Sequence, residues 1–279
     1  MKPASEKLLF GTAGVPHSAS RPSTMAGISR VAELGLDCLE IEFVMGMKMR
    51  TDLAGKIKKL TMEKNINLSV HAPYFLNLNS QEEGKRLASQ ERLLSTARMA
   101  ALCGAENVVF HPGYYGKSAE EEACETILGG IKEVASILRS ERSPVVLRPE
   151  TMGKRSQFGS LEEILKLCQE VEGILPCIDF SHIHAREGKA NSYSDFYRIL
   201  KKTEKKLGAA ALKKAHIHIS GAEYGDKGEL KHINLEESDF RYDEWIQVLK
   251  DFGIEGMVVC ESPNLEKDAL MLKKLFYSS

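Results

Sequence analysis

Six of the short apolar runs in this sequence end in a side chain of a type that binds metal ions. Imidazoles and carboxylates that converge in space hold zinc, manganese or iron. Burying so many ionisable groups without a metal would cost several kcal/mol of desolvation. The pattern therefore predicts a polynuclear metal site. The residues at these ends are His71, His111, Glu150, Asp179, His218 and Glu261, and His182 follows soon after Asp179.

The elements that must position these residues alternate between strand-like and helix-like segments, eight times along the chain. Eight βα units predict an α/β fold, a closed (β/α)8 TIM barrel, with an open doubly wound sheet as the main alternative. The polar residue at the C-terminal end of a buried parallel strand points into the barrel mouth. No linker interrupts the pattern, so we expect a single catalytic domain over residues 1–279. The predicted strands are Leu8–Thr12, Cys38–Phe43, Leu68–His71, Asn107–His111, Pro144–Glu150, Leu175–Asp179, Ala215–Ser220 and Gly256–Glu261.

The composition is typical of a globular enzyme. The chain has 279 residues, 43% of them hydrophobic, and a net charge of −1, which argues against a generally basic nucleic-acid-binding surface. No apolar run approaches the ~18 residues of a membrane span, and we expect neither a secretory leader nor a membrane partner. The six cysteines show no C-x-x-C spacing, so we expect buried, reduced thiols in a cytoplasmic protein.

Six motifs follow one another in the order found in endonuclease IV, a family of zinc-dependent apurinic/apyrimidinic endonucleases among the xylose-isomerase-like barrels. The sequence resembles this family from about the third predicted strand to the eighth. The F-H-P-G and D-x-x-H elements are specific to the family in this order. The motifs are His71-Ala72-Pro73-Tyr74, Phe110-His111-Pro112-Gly113, Pro149-Glu150-Thr151, Asp179-Phe180-Ser181-His182, His218 with the later His232, and Glu261-Ser262-Pro263.

The resemblance implies two or three zinc ions, with manganese as an alternative. The implied reaction is hydrolysis of the phosphodiester 5′ to an abasic site in DNA, with a hydroxide between two zinc ions as the nucleophile. Glu150 and Glu261 would lie at the catalytic centre. The implied ligands are His71 and His111 for the first ion, Glu150 between the first and second, Asp179, His218 and Glu261 for the second, and His182 and His232 for the third.

One position departs from the family pattern. The family has an aspartate two residues before the last histidine, as a ligand of the third zinc, and this chain has Leu230 there. A leucine side chain cannot bind a metal ion. The adjacent Glu229 could replace the aspartate if the loop shifts by one residue, so the third site is the least secure of the three.

Four residues are candidates for contacts with substrate. Tyr74 and Phe75 stand where the family inserts a tyrosine and an apolar residue into the base stack, although they could equally pack on Pro73. Lys154 and Arg155 follow Glu150 in a loop of the catalytic face, where they could bind phosphates. The expected partner is DNA containing abasic sites, bound by a monomer.

A sugar isomerase or epimerase on the same barrel is the main alternative, with Glu150, Asp179, His218 and Glu261 around one divalent metal. The four remaining histidines of the predicted site would then have no role. A non-catalytic barrel is a third possibility. His216 faces the same side of its strand as His218, and we expect it either to support a metal ligand or to be satisfied within the barrel. We expect His184 to have a loop role or to support the site rather than bind metal.

Overall fold

A computed structural model of the chain describes residues 7–44 and 46–278. Its strands form one large sheet and two short two-stranded ribbons. The strands are β1 (Leu8–Ala13), β2 (Cys38–Glu42), β3 (Asn67–His71), β4 (Asn107–Phe110), β5 (Gly113–Tyr114), β6 (Val146–Pro149), β7 (Gln157–Phe158), β8 (Cys177–Asp179), β9 (Ala215–Ile219), β10 (Gly221–Gly225), β11 (Gly228–Ile233) and β12 (Gly256–Cys260). The helices are α1 (Thr24–Glu33), α2 (Thr51–Lys64), α3 (Glu83–Cys103), α4 (Glu120–Ser140), α5 (Leu161–Glu170), α6 (Phe180–Glu187), α7 (Tyr193–Leu207), α8 (Ala209–Leu212), α9 (Tyr242–Asp251) and α10 (Glu266–Tyr277).

The eight strands of the large sheet are parallel and form a barrel. Neighbours are hydrogen-bonded in the order β6-β4-β3-β2-β1-β12-β9-β8. A parallel bridge between Glu150 and Cys177 joins the two ends of the sheet, which excludes the open doubly wound alternative. Each barrel strand overlaps one of the predicted apolar runs, so the predicted TIM barrel is confirmed.

Several helices around the barrel begin and end at the caps that the sequence supplies. Helix α5 starts with a capping box, in which Ser160 and Glu163 satisfy each other's backbone N–H groups. Helix α3 ends at Gly104, which has the left-handed backbone conformation (φ 80°) expected of a C-cap glycine. Within the described residues, no helix is long and apolar enough to cross a membrane.

The apolar core lies between the barrel strands and the surrounding helices, where Phe10, Ile28 and Trp245 are fully buried. The barrel interior, in contrast, contains polar side chains beside a small apolar cluster of Leu9, Cys38 and Met257. Near the N-terminal ends of the strands, Arg148 donates a hydrogen bond to the side chain of Asn107. Buried ionisable side chains therefore occur inside the barrel, and not only at the mouth where the loops gather.

The long loop after β9 contains an antiparallel hairpin of β10 and β11, which the sequence pattern did not predict. The hairpin contacts α6, the helix that starts immediately after β8. This contact brings residues of the hairpin to the edge of the barrel mouth.

Candidate metal centre

The first cluster consists of His71, His111 and Glu150, at the C-terminal ends of three neighbouring strands. The Nε2 atoms of His71 and His111 each lie 3.2 Å from Oε2 of Glu150. The Nδ1 atom of His71 lies 2.7 Å from the carbonyl oxygen of Ala72. If Nδ1 carries the proton, Nε2 is free to bind a cation. The structure therefore places all three predicted residues around one point at the mouth.

The second cluster consists of Glu150, Asp179, His218 and Glu261, whose potential ligand atoms lie within 4.8 Å of one another. Nδ1 of His218 is 3.3 Å from Oε1 of Glu150 and 3.4 Å from Oε1 of Glu261. One oxygen of Glu150 thus faces the first cluster and the other faces the second, which suits a carboxylate shared between two metal ions.

The third cluster consists of His182, Glu229 and His232. Oε2 of Glu229 lies 3.6 Å from Nε2 of His182, and Oε1 lies 3.3 Å from Nε2 of His232. The two histidine Nε2 atoms are 3.4 Å apart. Leu230, at the position of the family's aspartate, is 60% exposed and takes no part in the cluster.

A β-bulge explains how Glu229 reaches this cluster. Ala222 pairs with His232, but Tyr224 pairs with Glu229, so the register of the hairpin shifts by one residue and Leu230 is the extra one. Residues three apart on a regular strand face opposite sides, and the extra residue restores Glu229 and His232 to the same side. Gly153 makes room for Glu229, because a Cβ atom there would lie 2.7 Å from Cβ of Glu229.

Burial and mutual charge shift the pKa values of the clustered groups in opposite directions. Burial raises the pKa of Glu261 to about 8. Burial also tends to raise the pKa of Glu150. The charge of His218 and hydrogen bonds from His111 and His182 outweigh burial there and hold this pKa well below the usual range. Burial lowers the pKa of His71, but the hydrogen bond to Glu150 and the charges of Glu42, Glu150 and Glu40 together outweigh this and raise it to about 9. These shifts are typical of functional sites.

The donor set fits a cluster of zinc ions. Zinc takes imidazole nitrogen and carboxylate oxygen ligands, and manganese accepts the same types. Oδ2 of Asp179 and Oε2 of Glu261 are buried and have no hydrogen-bond donor among the described residues. Buried oxygens of this kind are costly unless a cation or a proton satisfies them. All eight predicted ligands lie in the three clusters, and their role as ligands stays a prediction.

The predicted substrate residues lie around the mouth. The ring of Tyr74 stacks on His111, with 5.1 Å between ring centroids, and its hydroxyl donates to Glu42. Phe75 is 51% exposed, with the guanidinium of Arg92 5.2 Å from its ring centroid.

Lys154 and Arg155, the two predicted phosphate contacts, are exposed on the loop after β6. The backbone of Lys154 bridges to Gly228 in the hairpin. The side chain of Arg155 donates a hydrogen bond to the carbonyl of Arg186. Both residues therefore lie beside the β10–β11 hairpin, which contributes to the third cluster.

The sequence reasoning missed two carboxylates on β2. Glu40 is fully buried in the barrel, and Glu42 lies at the mouth, where burial raises its pKa to about 7. A signal was present, because ionisable residues at alternate positions of an apolar strand face one side of the sheet. His216, expected to be satisfied within the barrel, has Nε2 3.1 Å from Glu40. His184 is buried, with Nε2 3.1 Å from the carboxylate of Asp239.

The fold and this geometry define a TIM barrel with adjoining histidine and carboxylate clusters at its mouth. A family model described as "Xylose isomerase-like TIM barrel" matches residues 28–275. The chain belongs to this family, whose model covers most of its length.

Sequence relatives support the resemblance to endonuclease IV. An uncharacterized protein of Methanocaldococcus jannaschii is 47% identical over 96% of this chain and 97% of its own. A probable endonuclease 4 of Mycoplasma pneumoniae is 27% identical, over 73% of this chain and 72% of its own.

Solved structures agree on the fold and include two kinds of enzyme. Endonuclease IV from Thermus thermophilus superposes with a TM-score of 0.72 at 19% identity, covering 95% of this chain and 97% of that one. A D-tagatose 3-epimerase-like protein superposes with a TM-score of 0.71 at 20% identity, covering 95% of each chain. At these identities the superpositions establish the barrel alone. The family and its relatives support an enzyme of the xylose isomerase-like barrel superfamily.

Proposed function

We propose that this protein is a metal-dependent phosphodiesterase that incises DNA on the 5′ side of abasic sites. The observation that carries the proposal is that three clusters of ligand-type side chains adjoin one another at the mouth. A single-metal isomerase needs the second cluster alone, whereas this mouth also holds the first and third clusters. The endonuclease 4 relatives support the same choice.

Each cluster has a distinct part in this proposal. The residues of the first and second clusters would hold two ions, with Glu150 contributing to both sites, and those of the third cluster would hold another, with Glu229 in place of the aspartate of the family pattern. Zinc bound there would supply water activated near neutral pH and positive charge to offset that of the phosphodiester. Oε2 of Glu261 lacks a donor and is available to orient a water or to accept its proton.

The rim of the mouth suits a nucleic acid with an extruded nucleotide. Phe75 offers an exposed aromatic face for stacking, and Tyr74 covers one side of His111. Lys154 and Arg155 provide cations for backbone phosphates near the third cluster. With a net charge of −1 for the chain, binding depends on this local arrangement, and we infer that a monomer suffices.

We also infer a cytoplasmic location. The six cysteines are free and buried, which suits a reducing compartment.

Epimerisation of a ketose is the second candidate, because the second cluster is complete by itself and Glu42 adds a carboxylate at the mouth. A carboxylate whose pKa lies near 7 suits proton transfer beside a carbonyl. It is less suited to the neighbourhood of a phosphodiester, because the negative charges repel.

Incision of a duplex with one tetrahydrofuran abasic analogue decides between the two candidates. The analogue cannot undergo β-elimination, so a 5′ nick reports hydrolysis. We expect the zinc-loaded protein to nick the strand 5′ to the analogue, and the Glu261→Gln variant not to do so. An intact duplex together with turnover of ketohexoses or ketopentoses by the same preparation would overturn the nuclease proposal and favour the epimerase.

A further inference from the structure

Glu40 lies in the barrel interior directly below the second cluster and is fully buried. Its Oε2 atom accepts a hydrogen bond from Ser69 at 2.6 Å and lies 3.1 Å from Nε2 of His216. Its Oε1 atom lies 2.9 Å from Nε2 of His218. A carboxylate at this depth is stable only when such donors surround it.

The contact between Glu40 and His218 crosses the barrel. Strands β2 and β9 are separated by β1 and β12 in the sheet, so the two side chains meet through the interior. Neither Oε1 of Glu40 nor Nε2 of His218 has a well-aligned hydrogen-bond partner elsewhere in the described residues. The buried thiol of Cys177 also lies near the His218 ring, but the carboxylate of Glu40, at 2.9 Å, is the charged acceptor for a proton on Nε2.

This contact determines which nitrogen of His218 is free. A neutral imidazole carries one proton, and the nitrogen without it binds a cation. A proton on Nε2 faces the carboxylate of Glu40, which leaves the lone pair on Nδ1. Nδ1 is the atom that faces Glu150 and Glu261.

We propose that Glu40 is a positioning residue for the second metal site, because it holds the proton of His218 on Nε2 and presents Nδ1 to the ion. The inference rests on the proposed metal centre. A carboxylate behind a ligand histidine fixes the ring and makes the ligand nitrogen more basic. The adjoining Ser69 and His216 fix the carboxylate in turn, since Ser69 pairs with Glu40 in the β2–β3 register.

The first test is the protonation state of the His218 ring in the unmodified, zinc-loaded protein. Long-range ¹H–¹⁵N correlation of ¹⁵N-histidine protein distinguishes the two tautomers. We expect a protonated Nε2 and a zinc-bound Nδ1 in His218. A protonated Nδ1 would overturn the inference without any substitution.

The second test is Glu40→Gln, compared with Glu42→Gln on the same side of the same strand. In the Glu40→Gln variant, an amide NH2 group that donates hydrogen bonds replaces one carboxylate oxygen that accepts them. The imidazole of His216 or His218 that faces this NH2 group must then present an unprotonated nitrogen, so it must change tautomer. We expect one zinc equivalent to bind about 10- to 100-fold more weakly in chelator competition, with a mixed His218 tautomer. The Glu42→Gln variant should keep the His218 tautomer, because Glu42 contacts Tyr74 instead.

The outcomes separate this inference from the proposed function. If the unmodified protein binds no zinc, the metal centre itself fails and the role of Glu40 fails with it. If it binds a single equivalent, the multinuclear centre of the proposed function fails, and the His218 tautomer still tests the role of Glu40. If two or more bind and Glu40→Gln matches the unmodified protein in affinity and tautomer, the positioning role alone is wrong.

Discussion

Two parts of the barrel mouth present ligand-type side chains by different means. The strand-end part, formed by the first and second clusters, takes its residues from the ends of hydrogen-bonded parallel strands. The hairpin part, the third cluster, takes His182 from α6 and two residues from the β10–β11 hairpin. Strand-end positions are fixed by the barrel, whereas hairpin positions depend on one bulge. A change in the hairpin register would therefore displace Glu229 and leave the strand-end residues in place.

The largest expected effect is that of Glu150→Gln, because Glu150 belongs to both the first and the second cluster and also lies 3.3 Å from His182 of the third. We expect incision to fall by on the order of 10³-fold, since a metal centre contributes several kcal/mol to the transition state. Single-turnover incision and metal analysis of the purified variant measure this. Retention of activity within about tenfold would show that the two parts of the mouth work independently.

Substitutions at neighbouring residues distinguish the hairpin part from the strand-end part. Glu229→Gln should remove one metal equivalent and slow incision on the order of 10²-fold, the effect of losing one charge-stabilising group. Leu230→Ala is the matched control, because that side chain is exposed, and should leave both quantities unchanged. If Leu230→Ala lost the metal equivalent and Glu229→Gln kept it, the hairpin register in solution would differ from the one described.

The pH dependence of stability tests the electrostatics of the strand-end part. Glu261 with a pKa of about 8 and His71 with a pKa of about 9 both hold protons more tightly in the folded chain than in the unfolded one. The folded state then binds more protons, so its stability falls as pH rises through these values. For metal-free protein, these two groups together predict a loss of about 3 kcal/mol between about pH 7 and pH 9.

Urea unfolding at both pH values measures this loss. Zinc-saturated protein is the control, because metal replaces the protons and binds more tightly as pH rises. Metal-free protein that is equally or more stable near pH 9 would contradict the assigned pKa directions.

The smallest expected effect is that of Gly153→Ala. The added Cβ would lie 2.7 Å from Cβ of Glu229 and 3.0 Å from the His182 ring, so the hairpin must shift. We expect the third metal to bind about tenfold more weakly, a cost within the usual range for overpacking, with the other two unaffected. Gly55→Ala in α2, where a Cβ meets nothing within 4 Å, is the control. Equal weakening of all three metals would contradict a separate hairpin part.

The sequence predicted the strand-end part well and the hairpin part incompletely, for physical reasons. A parallel strand buried on both faces leaves a readable apolar run, so His71, His111 and Glu261 could be placed from their positions alone. The sequence named Glu229 only on condition of a one-residue shift, because that shift is set by the pairing of β11 with β10 and not by a local pattern. The contact of Glu40 with His218 depends on barrel closure between distant segments, although the alternation on β2 could have pointed to the carboxylate.

Anomalous diffraction at the zinc edge, from crystals of the zinc-loaded protein, tests the central claim most directly. We predict three peaks, one at each cluster, with Glu229 rather than Leu230 beside the third. A single peak between Glu150, Asp179, His218 and Glu261 would contradict the three-cluster metal centre and support a one-metal sugar enzyme.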